Sequence, residues 1–439
     1  MPKRTDDPLA DPLDSALAET ADAVRVVTAD TVPGSPVPSL ERIQDAARVL
    51  RGVAALTPME SSRYLSEMVG VPVHLKCENL QRTGSYKIRG AYNRLSRLTE
   101  EERSRGVVAA SAGNHAQGVA FAARALGISA TIFMPIGVPL PKLAATRDYG
   151  AHVELFGHVV DETFAAAADF AARTGAVLIP PFDHPDVIAG QGTLGLEILE
   201  AVPDVDTIVV PVGGGGLISG IAAAVAQAAA GRVHVVGVQA ENAAPFPPSL
   251  AAGAVQTIRT SPTIADGIAV ATPGRITFEV VSSLVDEVVT VTDDETASAL
   301  LVLLERAKLV VEPAGAVGVA ALLSGKVKPA GRTVAVLSGG NIDPLMMERV
   351  ISRGLVASDR YLTLRIGLPD RPGQLAVVSG LIAEVNANVV EVLHTRHGSG
   401  MPIGEVQIDI SVETRGATHR DQVIARLEAA GYAPRVVVV

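Results

Sequence analysis

The stretch TIVVPVGGGGLISGIAAAVAQ (residues 207–227) contains three consecutive segments of different character. TIVVPV is a β-branched run that predicts a buried strand, and LISGIAAAVAQ is apolar enough to predict a buried helix. Four consecutive glycines separate them. Glycine allows backbone N–H groups to approach a ligand closely, and the N-terminus of the following helix adds partial positive charge. The stretch therefore predicts a strand, an anion-binding loop and a helix.

Two interpretations of the four glycines are open. One is a tight strand–helix turn, for which one or two glycines suffice, and the other is a phosphate cradle. The dinucleotide fingerprint G-x-G-x-x-G fits no register of residues 213–220, and G-x-x-x-x-G-K-[ST] occurs nowhere in the sequence. A single compact phosphate therefore fits better than a dinucleotide or a triphosphate.

Similar strands recur on both sides of this stretch and alternate with helical patterns. Near-continuous apolar strands separated by helices predict parallel sheets covered by helices on both faces, an α/β fold over residues 41–356. Residues 1–40 are rich in Asp, Ala and Pro and predict a disordered tail. The other strand candidates are GVVAA (106–110), SATIFMP (129–135), AVLIP (176–180), VHVVGVQ (233–239) and TVAVLSGG (333–340).

The pattern changes after residue 356. YLTLRIGL and GEVQIDISVET alternate apolar and polar residues, as expected of strands with one exposed face. Helical patterns near 373–386 and 418–431, with NVVEVLHTRH and a terminal RVVVV, complete the order β-α-β-β-α-β. Residues 357–439 therefore predict a separate ferredoxin-like domain.

Composition excludes several classes of protein. With 37 basic against 47 acidic side chains the net charge is −10, which argues against a nucleic-acid surface. The single cysteine, Cys77, excludes an internal disulfide framework. Lys3 and Arg4 are followed by aspartates rather than an apolar segment, so no secretory signal is predicted. Gln227 interrupts the most apolar stretch, and together these features favour a cytoplasmic protein without a membrane span.

A second motif, TGSYKIRGAYNRL (83–95), predicts the start of a helix with a lysine beside its buried face. Lys87 is either a surface lysine whose aliphatic stem lies on apolar residues or a buried amine that takes part in a reaction. Together with a phosphate cradle, the second interpretation indicates pyridoxal phosphate, whose aldehyde reacts with an amine that burial keeps partly neutral. The positions that recur at helical spacing are Gly84, Ile88, Ala91 and Leu95.

Four ordered motifs resemble those of the threonine/serine dehydratases, which are fold-type II pyridoxal-phosphate enzymes. They are SYKIRGAYN (85–93), SAGNHAQG (111–118), GGGGL (213–217) and SGGN (338–341), and the resemblance covers roughly residues 41–345. It implies the fold-type II architecture and a catalytic role for residues 41–356.

The resemblance implies a role for each matching residue. Lys87 would hold the cofactor covalently and then remove the α-proton of the substrate, and Asn114 would hydrogen-bond the 3′-oxygen of the cofactor ring. Ser338 would face the ring nitrogen with a hydroxyl rather than a carboxylate, which favours β-elimination over transamination; a serine in an ordinary turn is the alternative. The residues that would cradle the phosphate are Gly213, Gly214, Gly215, Gly216 and Leu217.

Substrate binding is assigned to the same neighbourhood. Ser111, Asn114 and His115 would hold the substrate carboxylate near a helix N-terminus, although His115 could equally be a structural cap. Ser85 would line the substrate side or form a helix N-cap. Thr263, Ala265, Asp266 and Gly267 and the segment EPAGA (312–316) also match the family, without a defined chemical role.

Two departures from the pattern bear on the reaction. Racemases of this group carry a second serine where this chain has Ala112, and a methyl group cannot transfer a proton. Some members bind a divalent cation after the strand that matches VHVVGVQ, but Gln239 stands in place of the first acidic ligand, although Glu241 is close by. The expectation is therefore no metal.

LPDRPGQLAVVSGLIAEVNANVVEV (368–392) resembles an ACT domain, a small amino-acid-sensing module in which Gly373 would open the first helix beside an effector site. The resemblance implies an isoleucine or valine effector and a homodimer or homotetramer; an ACT-like fold used only for oligomer contacts is the alternative. The implied activity is β-elimination of L-threonine, and of L-serine, to 2-oxobutanoate or pyruvate and ammonia, a step of isoleucine biosynthesis or of catabolism. The rival interpretations are a serine dehydratase or racemase of the same fold and a non-catalytic amino-acid sensor.

Overall fold

A computed structural model describes residues 36–229, 231–396 and 403–437. The chain divides into two compact units, one of Met1–Thr296 with Arg306–Asp343 and one of Ala297–Glu305 with Pro344–Val439. Residues 344–356 thus group with the C-terminal unit, while the domain boundary after residue 356 stays a prediction. The predicted tail lies outside the described residues as far as residue 35, and the first described helix begins at Leu40.

The first unit contains two sheets. A six-stranded sheet has the order β1-β2-β10-β7-β8-β9, parallel except for β1, and a four-stranded parallel sheet has the order β5-β4-β3-β6. The strands are β1 (Met59–Ser61), β2 (Val73–Cys77), β3 (Val107–Ala110), β4 (Ala130–Met134), β5 (His152–Leu155), β6 (Val177–Leu178), β7 (Thr207–Pro211), β8 (His234–Ala240), β9 (Glu287–Val291) and β10 (Thr333–Leu337).

Helices cover these sheets. One of them, α12 (Asp293–Val302), includes residues of both units, and a π-helical turn follows it at Leu303–Ala307. The helices are α1 (Leu40–Val49), α2 (Arg63–Val69), α3 (Lys87–Ser96), α4 (Glu100–Arg105), α5 (Asn114–Leu126), α6 (Leu140–Asp148), α7 (Val160–Thr174), α8 (Pro185–Ala201), α9 (Gly216–Ala228), α10 (Phe246–Ala252), α11 (Arg275–Leu284), α12 (Asp293–Val302) and α13 (Pro313–Leu323).

All six strands predicted in this unit are present, and their apolar side chains form much of its core. β3, β7 and β10 are buried along their whole length. Burying aliphatic side chains on both faces contributes roughly 25 cal/mol per Å² of apolar surface, which explains how a core with few aromatic residues is stable. No described helix is long and apolar enough to cross a membrane.

Helix α8 packs backbone to backbone against two other helices. A Cβ atom on Gly190 would lie 2.6 Å from the carbonyl oxygen of Arg89 in α3, and one on Gly192 would lie 2.9 Å from that of Gly220 in α9. No side chain larger than hydrogen fits these two crossings without a shift. Since α3 begins at Lys87 and α9 follows the four glycines, α8 fixes the lysine relative to the glycine loop.

The C-terminal unit has the predicted β-α-β-β-α-β order after an additional helix. Its antiparallel sheet has the order β12-β13-β11-β14, and the two helices after β11 bury Val378, Ile382, Val423 and Leu427 against the inner face. The elements are α14 (Pro344–Ala357), β11 (Tyr361–Pro369), α15 (Gln374–Glu384), β12 (Asn388–Thr395), β13 (Glu405–Glu413), α16 (Ala417–Ala429) and β14 (Arg435–Val436).

One local prediction is wrong. The spacing of apolar residues predicts a helix that already includes Gly84, but α3 begins at Lys87 and its N-cap is Tyr86. Gly84 instead has a φ of 71°, and a Cβ there would collide with the side chain of Asn341. The rest of the predicted face, from Ile88 onward, is buried as expected.

Candidate active site

Lys87 is the first residue of α3 and its amine is partly buried. The Nζ atom donates a hydrogen bond to the carbonyl oxygen of Pro181 at 2.9 Å and lies 5.3 Å from the centre of the Tyr86 ring. Burial lowers the pKa of the Lys87 amine to about 8, while the negative charge of Glu312 acts in the opposite direction. A substantial fraction of this amine is therefore neutral near pH 8 and able to act as a nucleophile or base.

The four glycines form the turn between β7 and α9. Gly215 is the N-cap of α9 with a φ of 97°, which only glycine adopts without strain. A Cβ on Gly214 would collide with the ring of Phe182, and one on Gly215 would lie 2.7 Å from the ring of Phe246. The close packing explains why four glycines are present where one or two would make the turn.

This loop fits a phosphate group. Among the described residues, none of the backbone N–H groups of Gly213, Gly214, Gly215 or Gly216 donates a hydrogen bond to a protein acceptor. The loop also stands at the N-terminus of a buried helix, where partial positive charge accumulates. Unpaired N–H donors at a helix N-terminus are the chemistry that holds a phosphate, and a side chain at any of these positions would meet the surrounding residues.

Phe182 and Pro181 connect the lysine to the glycine loop. The carbonyl of Pro181 accepts the hydrogen bond from Lys87, and the next residue, Phe182, packs its ring and backbone against Gly214 and Gly216. The amine and the four N–H donors therefore lie on the two sides of one short segment. Neither residue belongs to a motif singled out in the sequence.

Asn114 begins α5 and both atoms of its amide are held. Its Nδ2 donates to Oε1 of Glu312 at 2.6 Å, and its Oδ1 accepts from Nδ2 of Asn341 at 2.8 Å. Asn341 also donates to the carbonyl of Thr83 at 2.8 Å. This network fixes the orientation of the Asn114 side chain. Its members come from three separate sequence motifs, since Glu312 lies in EPAGA, Asn341 in SGGN and Thr83 in TGSYKIRGAYNRL.

Glu312 is a buried carboxyl group that sequence reasoning left without a role. Burial raises its pKa to about 7, repulsion from Asp266 adds to the rise, and the hydrogen bond from Asn114 opposes it. A Cβ on Gly339 would collide with its Oε1 atom, so the segment after β10 approaches it closely. Only the tertiary fold brings this glutamate beside the lysine and the asparagine, and the EPAGA motif was the one signal that could have indicated it.

Ser338 directly follows β10 and is buried, with its carbonyl accepting a hydrogen bond from the N–H of Tyr86 at 3.1 Å. Ser85 is fully buried, and its hydroxyl has no hydrogen-bond partner among the described residues. The N-cap alternative for Ser85 is wrong, because Tyr86 occupies that position without a side-chain cap. Residues 85 and 339 form a β-bridge, which places both serines next to Lys87.

The loop after β3 lies at the N-terminus of α5. Ser111 Oγ accepts a hydrogen bond from the N–H of Gly113 at 3.1 Å. His115 is buried, and its Nε2 binds the carbonyl of Ile179 at 2.9 Å, so that nitrogen carries the proton. Burial and the nearby charge of Lys87 lower the pKa of His115 to about 3, which keeps the ring neutral. Its role as a substrate ligand stays a prediction.

A lysine missed in the sequence also lies at this loop. Lys142 of α6 makes an ion pair with Asp266 at 2.8 Å, and its Nζ would lie 3.8 Å from a Cβ on Gly113. Only 13% of its side chain is exposed, so the cation faces the loop that holds Ser111 rather than open solvent. It adds positive charge next to the proposed carboxylate site.

A buried cluster of four charges anchors the helix that carries Lys87. Arg89 donates two hydrogen bonds to Glu78 at 2.8 and 2.9 Å and two to Glu197 of α8 at 2.5 and 3.0 Å. Lys76 pairs with Glu197 at 2.7 Å. The two positive and two negative charges balance. Because removing one member would leave a buried charge unpaired, at a cost of roughly 3–5 kcal/mol, the start of α3 is held firmly.

At the position where some members of the family bind a cation, the side chain of Gln239 makes hydrogen bonds within the protein. Its Nε2 lies 3.3 Å from the carbonyl oxygen of Val212, and its Oε1 accepts from the N–H of Phe246 at 3.0 Å. Gln239 thus supports the glycine loop from beneath. No group of three or more metal-binding side chains occurs within the part of the chain that the structure describes.

Comparison with known proteins identifies the class. Residues 50–339 match the family described as pyridoxal-phosphate dependent enzyme, and residues 362–431 match the ACT domain. The chain belongs to the pyridoxal-phosphate dependent enzymes and carries a C-terminal ACT domain.

Its relatives and structural neighbours narrow the class. The chain is 51% identical over 400 residues to an L-threonine ammonia-lyase of Thermotoga maritima, covering 91% of this chain and 99% of that one. It is 49% identical over 391 residues to an L-threonine ammonia-lyase of Geobacter sulfurreducens, covering 89% and 97%. Among solved structures, a threonine deaminase isoform from Solanum lycopersicum superimposes with a TM-score of 0.69 at 36% identity, covering 75% and 95% of the two chains. A maize serine racemase gives 0.68 at 37%, covering 73% and 98%.

Proposed function

We propose that this protein is a threonine ammonia-lyase, which converts L-threonine to 2-oxobutanoate and ammonia and L-serine to pyruvate and ammonia. The observation that carries the proposal is the partly neutral amine of Lys87 held beside a loop of four unpaired N–H donors. Relatives about half identical over nearly their whole length carry this activity in their names, which supports the same reaction here.

Lys87 and the glycine loop have complementary tasks. When bound, pyridoxal phosphate would supply an electron sink for the electrons released at the α-carbon of the substrate. We assign Gly213, Gly214, Gly215, Gly216 and Leu217 to its phosphate, and Asn114 and Ser338 to its ring. Lys87 would hold it and then take the α-proton on Nζ, an atom that the carbonyl of Pro181 holds next to the segment that packs against the loop.

The substrate carboxylate would lie at the N-terminus of α5. We assign its binding to Ser111, Asn114 and the partial charge of the helix, with Lys142 as the nearby cation. His115 holds this loop against Ile179, which directly follows β6, and Ser85 offers an unpaired buried hydroxyl on the lysine side. The substrate would thus be fixed with its α-carbon facing Lys87.

Two residues favour elimination over the alternative reactions. We place Ser338 at the ring nitrogen, where a hydroxyl, unlike a carboxylate, does not hold a proton on that nitrogen. Ala112, whose methyl packs against the core, cannot return a proton to the opposite face of the substrate, which supports a lyase rather than a racemase. The intact lysine and glycine loop argue against a non-catalytic sensor.

The proposal is tested by assaying products from L-threonine, L-serine and their D-enantiomers. We expect 2-oxobutanoate from L-threonine and pyruvate from L-serine, with no enantiomer formed. Lys87→Ala is the matched control and should lower the elimination rate by several orders of magnitude, since base and nucleophile are both lost. Racemisation without keto-acid formation would overturn the assignment.

For the ACT domain we propose an isoleucine or valine effector and a homodimer or homotetramer, in a cytoplasmic enzyme. Gly373 is the N-cap of α15, where the turn after β11 leaves backbone N–H groups for an amino-acid carboxylate. The edge strand β12 exposes Val390 and Leu393, 49% and 61% accessible, which supports pairing with a second copy.

Calorimetric titration with isoleucine, valine and leucine, together with light scattering of wild type and Leu393→Asp, tests both parts. We expect isoleucine or valine to bind and to change the threonine affinity by roughly 5–150-fold. Leu393→Asp should lower the molar mass of the assembly. Absence of binding by any of the three would leave the domain as an oligomer contact only.

A further inference from the structure

One carboxylate beside the glycine loop caps a helix that lies about 90 residues further along the chain. Asp183 follows Pro181 and Phe182, and it accepts hydrogen bonds from the backbone N–H groups of Arg275 at 3.0 Å and Ile276 at 2.9 Å. A third comes from the N–H of Thr277 at 3.2 Å. α11 begins at Arg275, and its own N-cap, Gly274, has no side chain, so Asp183 supplies the missing cap.

The capped helix in turn holds the glycine loop. The hydroxyl of Thr277 donates to the carbonyl oxygen of Gly214 at 2.6 Å, and the N–H of Gly274 approaches the same oxygen at 3.3 Å. Thr277 is fully buried, and a Cβ on Gly215 would lie 2.9 Å from the Cβ of Thr277. Gly214 therefore has its carbonyl fixed by the first turn of α11.

Fixing that carbonyl also fixes an N–H donor. In a planar trans peptide the carbonyl of Gly214 and the N–H of Gly215 point in opposite directions. Because the carbonyl is directed at Thr277, the N–H of Gly215 is directed away from α11, toward the open side of the loop. The orientation of one of the four unpaired donors thus depends on the position of α11.

We infer that Asp183 is a positioning residue for the phosphate-binding loop, acting through Thr277 on the peptide between Gly214 and Gly215. The inference rests on the proposed cofactor site and goes beyond it, since Asp183 touches neither the loop donors nor Lys87. It also explains why Asp183 directly follows the two residues that contact Lys87 and the glycine loop: one segment, residues 181–183, sets both halves of the site.

The carboxyl group of Asp183 is partly buried, which disfavours its charged form. Burial raises the pKa of its carboxyl group, and the three backbone N–H donors only partly oppose this effect. A residue that only capped a helix could do so on the exposed surface, as Thr99 does with its hydroxyl at the start of α4. The partly buried position of Asp183, next to Phe182, instead links the cap to the glycine loop.

The test compares Asp183→Asn, Thr277→Val and the double variant with Asp286→Asn in the full-length protein. Asp286 also accepts a backbone N–H, from Val235 at 2.9 Å, but at the start of β8, at the opposite edge of the sheet from the glycine loop. The measurements are the pyridoxal-phosphate dissociation constant of the apoprotein by fluorescence, the ³¹P shift of the bound phosphate, and the thermal midpoint of the apoprotein.

We expect Asp183→Asn and Thr277→Val each to weaken cofactor binding about tenfold, equivalent to about 1.4 kcal/mol, and to shift the ³¹P signal. The double variant should bind only as weakly as the weaker single variant, because both changes break one chain of contacts. Asp286→Asn should leave the dissociation constant and the ³¹P shift unchanged.

Additive losses, or an Asp183→Asn protein with a lowered thermal midpoint and unchanged cofactor affinity, would reduce Asp183 to an ordinary helix cap. If Asp183→Asn does not fold, Thr277→Val alone decides: unchanged affinity and ³¹P shift would overturn the inference. Failure of the proposed function is distinguishable, because the wild-type apoprotein would then bind no pyridoxal phosphate.

Discussion

Replacing Glu312 with glutamine should make the stability of the apoprotein less dependent on pH. The pKa of Glu312 rises from 4.5 to about 7 on folding, chiefly through burial. The folded state then binds the proton more tightly than the unfolded state, so this group contributes stability that is present at low pH and is lost as pH rises through 7. A shift of this size corresponds to about 3 kcal/mol, most of it between pH 5 and pH 8.

The assay is urea unfolding of the apoprotein at several pH values between 5 and 8. The free energy of unfolding of wild type minus that of Glu312→Gln should fall by about 2–3 kcal/mol over this range, since glutamine does not titrate. Glutamine can still accept the hydrogen bond from Asn114, which keeps the packing comparable. Glu100→Gln, on the exposed surface of α4, controls for the loss of one carboxylate. Parallel curves for wild type and Glu312→Gln would refute the reasoning.

Three further changes probe the ring, the substrate and the helix packing. Ser338→Asp should protonate the ring nitrogen and raise transamination relative to elimination; an unchanged product ratio with cofactor bound would place Ser338 elsewhere. Lys142→Met should raise KM for L-threonine roughly tenfold with a smaller effect on kcat, through loss of one charge contact; a fall in kcat alone would contradict this role. Gly192→Ala should lower stability by about 1–3 kcal/mol, because its methyl would lie 2.9 Å from the carbonyl of Gly220; an unchanged thermal midpoint would show that α8 and α9 can separate freely.

The elements with a regular hydrophobic period could be predicted from the sequence. The strands that end in the glycine loop and in Ser338 were apparent, since both are apolar along their whole length. β5 was missed because it is short and largely exposed, so its residues lack the apolar signal on which the prediction depends. β9 was missed although its sequence EVVTV is rich in valine and only Glu287 is exposed. The alternation after residue 356 gave the β-α-β-β-α-β order, which the structure and the ACT match confirm.

The site could be predicted only where a local motif carries it. Lys87 and the glycine loop are recognisable by themselves, whereas the roles assigned to the individual site residues stay predictions. The roles of Glu312 and Asp183 could not be predicted from the sequence, because they depend on contacts with residues roughly 90 to 200 positions away. The start of α3 was misplaced because the tertiary contact between Gly84 and Asn341 outweighs helical spacing.

Covalent attachment of the cofactor at Lys87 is tested most directly by borohydride reduction of the full-length protein loaded with pyridoxal phosphate, followed by digestion and mass spectrometry. We predict loss of the visible absorbance and one pyridoxyl group on the peptide that contains Lys87, whose partly neutral amine lies beside the glycine loop. The Lys87→Ala protein should bind the cofactor without forming a reducible bond. A pyridoxyl group on another lysine, or near-normal turnover of Lys87→Ala, would contradict the assignment.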